Sequence, residues 1–196
     1  MGVFRLLGKL LRASLKAGKA LSIDEYIEIE TERQKNAEKK TFYRAIGHLA
    51  VGWGYVEHLF DLTNAAIINR FETDENELPR SLKPKISFYR RSFLKIPELS
   101  PFKEKALKIT DEASRLKEIR HDIIHGQAER LTPDGLRHFN RQHHRGKELI
   151  ETSVSYTLDQ IIQANEDIGE LAISMVALVK EAKSLFLNER SEKLDG

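Results

Sequence analysis

The sequence predicts an all-α protein. The expected architecture is an up-and-down helical bundle of four to five helices, with an N-terminal amphipathic helical arm and a small hairpin or loop insertion before the last helix. Three observations predict it. Apolar residues recur at helical spacing through most of the 196 residues. No glycine-rich phosphate loop, internal repeat or alternating strand–helix pattern is present. Helix starts are written into the chain as Ser22 with Glu25 and Thr157 with Gln160, the spacing of a capping box.

The elements follow in order. Residues 1–21, MGVFRLLGKLLRASLKAGKAL, hold no acid. On a helical wheel Arg5, Lys9, Arg12, Lys16 and Lys19 share one face, and Val3, Leu6, Leu7, Leu10, Leu11, Leu15 and Leu21 fill the opposite arc. The lysines break any secretory apolar core, so no cleaved signal peptide is expected. A second helix starts at Ser22 and stays highly charged to about Lys40. From Thr41 the apolar series Ile46, Leu49, Trp53, Val56, Phe60 and Ile67 predicts a long core helix ending near Phe71, with Trp53 as a core anchor. The acid-free stretch PRSLKPKISFYRRSFLK (79–95) predicts a short basic helix from about Pro84. Ser100 and Pro101 form an N-cap and N1 pair for a helix carried by Ala106, Ile109, Ala113, Leu116, Ile119 and Ile123, with Gly126 as its C′ stop. TPDG (132–135) is a turn, and 136–143 and 149–156 are β-biased around Gly146. Thr157 opens the closing helix, and the tail 188–196 is expected to be disordered. Three parts result: an arm and charged linker helix (1–40), a helical domain (41–187) and the tail.

Composition narrows the function classes. No apolar run approaches the roughly 20 residues that span a bilayer. The absence of cysteine removes disulfide scaffolds, thiol nucleophiles and Cys-based zinc sites, and fits a reducing cytoplasm. The net charge of +2 means that any nucleic-acid footprint must come from local patches.

RLKEIRHDIIHG (115–126) concentrates polar chemistry on a helix that must also pack. Three readings compete. The residues cap a helix C-terminus, where cations oppose the dipole. Alternatively His121 and His125, at i and i+4, hold a metal, for which HDIIH offers no obvious third ligand unless His138, His143 or His144 folds back. The third reading is acid–base chemistry on a phosphodiester. An imidazole titrates near neutral pH, a guanidinium grips phosphate oxygens in a fork, and RNA brings its own 2′-OH nucleophile. Arg120 and His125 lie about 140° apart on an ideal helix and would border a groove rather than share a stripe.

The Arg-polar-x-x-x-His pattern Arg120–His125, followed by Gly126, resembles the signature of the HEPN superfamily. AVGWGYVEHLFDLTNAAI (50–67), with Glu57 four residues after Trp53, is similar to that family's early helix. LKPKISFYRRSFL and the closing helix resemble its other segments, in the same order, across 41–187. Residues 1–40 and 127–155 lie outside the resemblance. The resemblance implies a metal-independent ribonuclease without cofactor, acting as a homodimer with a composite cleft. His125 would be the general acid/base, Arg120 the phosphate clamp and His121 an orienting group. Asp122 and Glu57 would support them, though a salt bridge to a neighbouring cation explains Glu57 equally well. Arg90 and Arg91, beside Tyr89, and Arg115 and Lys117 on the motif helix are the candidate RNA contacts; a solvated helix face is the competing account of the arginine pair. The Arg/His-rich stretch 137–147 would either close over RNA or form a loop. Family resemblance further suggests a toxin or antiviral effector held by a regulatory partner such as an antitoxin. The other reading is a non-catalytic RNA- or nucleotide-binding or protein-interaction module. In either case the leucine face of 1–21 packs on protein or lies on an anionic membrane surface.

Overall fold

The computed structural model describes residues 22–73, 77–128, 132, 135–145 and 148–186, without the side chains of 143–145. The readings of 1–21 and of the tail lie outside these residues. The chain divides into two compact units, 1–44 and 45–196. The described residues are mainly helical, with one small sheet among them.

Helix α1 spans Ile23–Arg70, 48 residues without a break. Two helices were expected here, and the correction has a plain cause. The change at Thr41 is a change in burial, not in backbone: no proline interrupts the run, and i,i+3 pairs such as Lys35–Glu32 continue through the charged half. Ser22 and Glu25 form the predicted reciprocal cap, with Ser22 N donating to Glu25 Oε2 and Glu25 N to Ser22 Oγ. In the first unit Tyr26 and Phe42 are buried while Ile23, Ile27 and Ile29 are exposed.

In the second unit the rest of α1 packs with α2 (Leu82–Lys95), α3 (Lys103–His125) and α4 (Leu158–Glu181); a short α5 (Lys183–Phe186) follows. Pro84 sits in the first turn of α2, where a missing N–H costs nothing, so the helix begins at Leu82. The Ser100–Pro101 cap did not form. Pro97 starts a 3₁₀ turn, Pro97–Phe102, that takes in both residues, and α3 opens after Phe102 with no side-chain cap. The core joins Trp53, Phe60 and Ile67 of α1 to Tyr89 and Phe93 of α2, Leu116 of α3 and Ile161 and Met175 of α4, all nearly sealed from solvent. Phe60 meets Tyr89 edge-on at 5.2 Å. At Gly52 a Cβ would stand 3.1 Å from Ile168, so the small residue lets α1 and α4 approach. Thr157 and Gln160 make the predicted capping box.

Between α3 and α4 the chain forms an antiparallel sheet, β1 (Gln127–Ala128), β2 (Arg137–Arg145) and β3 (Glu148–Tyr156), in the order β1-β2-β3. A hairpin therefore replaces the open choice between hairpin and loop. Its register pairs Arg137 with Tyr156, Phe139 with Val154 and Arg141 with Thr152. The alternation this imposes puts Phe139, Arg141 and Tyr156 on one face, and Phe139 is completely buried. Gly135 (φ 79°) takes the left-handed conformation its turn requires, and Thr132 closes that turn onto Leu136. Gly126 ends α3 differently from the expected left-handed stop. Its φ is −80°, and the reason for glycine is space: a Cβ would fall 2.9 Å from the Cβ of Phe139 and 2.3 Å from the carbonyl oxygen of Asp122.

Candidate active site at the end of α3

Helix α3 buries Ala113, Leu116 and Ile123, which fixes its rotation. The same rotation half-buries Arg120 and Asp122 and exposes His121 and His125. Their 140° separation does not keep Arg120 and His125 apart. The long guanidinium reaches round the helix end, and its Nη1 lies 3.1 Å from His125 Nε2. A guanidinium only donates, so this contact is a hydrogen bond in the tautomer that leaves Nε2 as the acceptor. The His121 and His125 rings lie 4.8 Å apart between centroids. His121 is held below the ordinary imidazole value, first by burial and then by the positive charges of Arg141 and of His125 when protonated; Glu118 and Asp122 pull the other way.

Asp122 points toward the hairpin. Tyr156 donates its phenolic hydrogen to Oδ2 at 2.9 Å, and Arg141 Nη1 stands 2.8 Å from Oδ1. Burial and the bond to Asp122 push the Tyr156 phenol up to about 12. Asp122 is thus the tie between the helix and the sheet, as well as a neighbour of the candidate imidazoles. Sequence reasoning missed Arg141 and Tyr156 as members of this cluster. The available signals were the β-alternation that puts them on the Phe139 face and the concentration of Arg and His in 137–147.

The other predicted residues sit in separate pairings. Glu57 meets Lys85 Nζ at 3.2 Å, and Asp61 joins the same ammonium at 2.8 Å, so Glu57 takes part in the ion pair that was its alternative account. Burial works against that lysine's charge, but hydrogen bonds to Asp61 and Glu57 outweigh it and hold its pKa above the usual lysine value. Arg90 is hydrogen-bonded to Thr110 and ion-paired with Asp111. Arg91 lies 3.2 Å from Ser87 Oγ. Arg115 bridges Glu112 and Asp167. Lys117 pairs with Glu118 at 2.9 Å, and this bond is the first reason that the Glu118 carboxyl is held below its ordinary value. Of the nine residues singled out in the sequence, Arg120, His121, Asp122 and His125 therefore form one cluster, with Lys117 reaching its edge through Glu118. His138 lies on the opposite face of the hairpin, where its Nδ1 is 2.6 Å from Ser155 Oγ. Among the described residues no group of three or more His, Asp or Glu side chains is arranged to hold a metal ion, and no helix is long and apolar enough to cross a membrane.

No family model, curated protein or solved structure matches this chain.

Proposed function

We propose that this protein is a metal-independent endoribonuclease of the HEPN type, working in the cytoplasm as a homodimer. The single observation that carries the reading is the contact of Arg120 with His125 at an exposed helix end, with His121 alongside. In this scheme the guanidinium turns from His125 Nε2 to the non-bridging oxygens of a phosphate and releases the lone pair it had occupied. His125 then takes the proton of the adjacent 2′-OH. The 2′-oxygen bonds to phosphorus, the P–O5′ bond breaks, the leaving 5′-oxygen takes a proton from water, and the proton held by His125 returns to the solvent. The products are a 2′,3′-cyclic phosphate and a 5′-hydroxyl. Arg120 offsets the charge that grows on phosphorus, and His121, whose pKa its surroundings hold below the ordinary value, donates an N–H to the phosphate. A toxin or antiviral role, with a regulatory partner, belongs to the same reading.

A second reading, a non-catalytic interaction module, draws on a different observation. A groove of about 550 Å³ is floored by Gly47, Gly52 and Gly169 and rimmed by Val51 and Tyr55, both well exposed. Such a face suits a protein partner.

The test is incubation of the purified full chain with total RNA, with and without EDTA. Cutting is expected in both, and His125→Ala and Arg120→Ala are each expected to abolish it while the far-ultraviolet circular dichroism stays that of the wild type. A folded His125→Ala chain that cuts at the wild-type rate would remove the chemistry from this helix.

A further inference from the structure

The hairpin does more than cover the end of α3. It carries a second guanidinium into the cluster. Arg141 comes from β2, on the face that Phe139 anchors, and its charge is felt by Glu118, His121, Asp122 and Tyr156 alike. It therefore stands beside the last turns of α3, near His121 and Asp122.

The way Arg141 is held matters. Asp122 turns Oδ1 toward it, while Tyr156 donates to Oδ2. Nη1 stands 2.8 Å from Oδ1 as an ion pair, is buried and makes no hydrogen bond, yet about a quarter (24%) of the side chain is accessible. The accessible surface therefore belongs to side-chain atoms other than Nη1. A guanidinium held by charge beside Asp122, with a donor that no hydrogen bond satisfies, keeps the planar fork that suits a phosphate. Arg90 and Arg115, by contrast, are each tied to surface carboxylates: Asp111 for the first, Glu112 and Asp167 for the second.

We propose that Arg141 is a second phosphate-binding residue of this site, which takes the phosphate next to the one held by Arg120, so that the ligand is a single-stranded polyribonucleotide read at two phosphates rather than a mononucleotide. Asp122 and Tyr156 are positioning residues that aim Arg141. The inference rests on the ribonuclease reading for its choice of ligand, but its test does not need cleavage.

The experiment measures binding of a fluorescent oligouridylate to the full His125→Ala chain over a series of salt concentrations, with and without Arg141→Gln. Loss of one phosphate contact to a single strand lowers the slope of log K against log salt by about 0.7. Affinity is expected to fall roughly fivefold at moderate salt, while binding of uridine 3′-monophosphate stays unchanged. Arg141→Lys is expected to restore the slope, since it keeps the charge. If Arg141→Gln leaves Asp122 without its cation and the chain unfolds, Asp122→Asn/Arg141→Gln removes both halves of the pair and reports the same slope. An unchanged slope in a folded Arg141→Gln or Asp122→Asn/Arg141→Gln chain overturns the proposal, and so does an equal loss of monophosphate and oligonucleotide binding. If the wild type cuts RNA but Arg141→Gln binds as the parent does, this inference alone fails. If the wild type never cuts but the slope depends on Arg141, the nuclease reading fails and this one stands.

Discussion

Gly126→Ala is the most direct perturbation of the joint between helix and hairpin. A methyl group there would lie 2.9 Å from the Cβ of Phe139, which is backbone-fixed and cannot swing aside, and 2.3 Å from the Asp122 carbonyl that accepts the Gly126 N–H. Carbon atoms in contact rest about 3.5–4.0 Å apart. Strand β2 must therefore withdraw by roughly 0.6–1.1 Å, or the last turn of α3 must open. Overpacking of this kind costs about 1–3 kcal/mol. At about 2–4 °C per kcal/mol for a domain of this size, the melting temperature should fall by about 2–12 °C. The same shift draws Arg141 and Tyr156 away from Asp122, and on the ribonuclease reading a displacement near 1 Å costs on the order of 100-fold in rate where it reaches reacting groups. Differential scanning calorimetry checks the first part and RNA cleavage the second. Gly54→Ala is the internal control. It lies within α1, its Cβ would meet nothing within 4 Å, and alanine there should raise stability by about 0.4–1 kcal/mol. A Gly126→Ala protein that melts at or above the wild-type temperature would refute the close approach of Phe139, and with it the account of how the hairpin is seated.

Two further outcomes test the electrostatics. Tyr156 ionises near 12 in the folded chain against 10.0 for a free phenol, so the unfolded state loses its proton first. Stability is fully present below pH 10 and falls as pH rises from 10 toward 12. Tyr89, raised by burial, acts in the same direction; Tyr156→Phe should therefore reduce, not abolish, the alkaline loss measured by urea unfolding at several pH values, and should cost about 1.5–3 kcal/mol at neutral pH by leaving an Asp122 oxygen without its donor. Lys85→Met should destabilise by about 1–3 kcal/mol in urea unfolding. Glu57 and Asp61 would then face each other without their cation, although their partial exposure (31% and 36%) screens the repulsion below the cost of a fully buried orphan. An unchanged midpoint would mean that the ammonium does not hold α1 to α2.

Much of the helical framework was legible in the sequence, and for local reasons. Trp53, Val56, Phe60 and Ile67 repeat at helical spacing, and Thr157–Gln160 announces the closing helix, because a helix satisfies its hydrogen bonds within a few residues. Ser100–Pro101 has the form of a helix start, but Pro97 had already begun a 3₁₀ turn. The basic run 79–95 looked like an open cationic track because its acids are elsewhere in the chain. Asp111 comes from α3, and Glu57 and Asp61 from α1.

By itself the sequence determined the helix periods, the caps, the buried aromatic positions and the presence of two imidazoles and a guanidinium at one helix end. These depend on spacing along a single segment. Tertiary structure alone decided which groups meet them: Phe139 closing on Gly126, Tyr156 and Arg141 dividing the oxygens of Asp122, and Glu57 joined to Lys85. Those contacts link distant segments, and strand register, not residue type, selects the face each side chain takes.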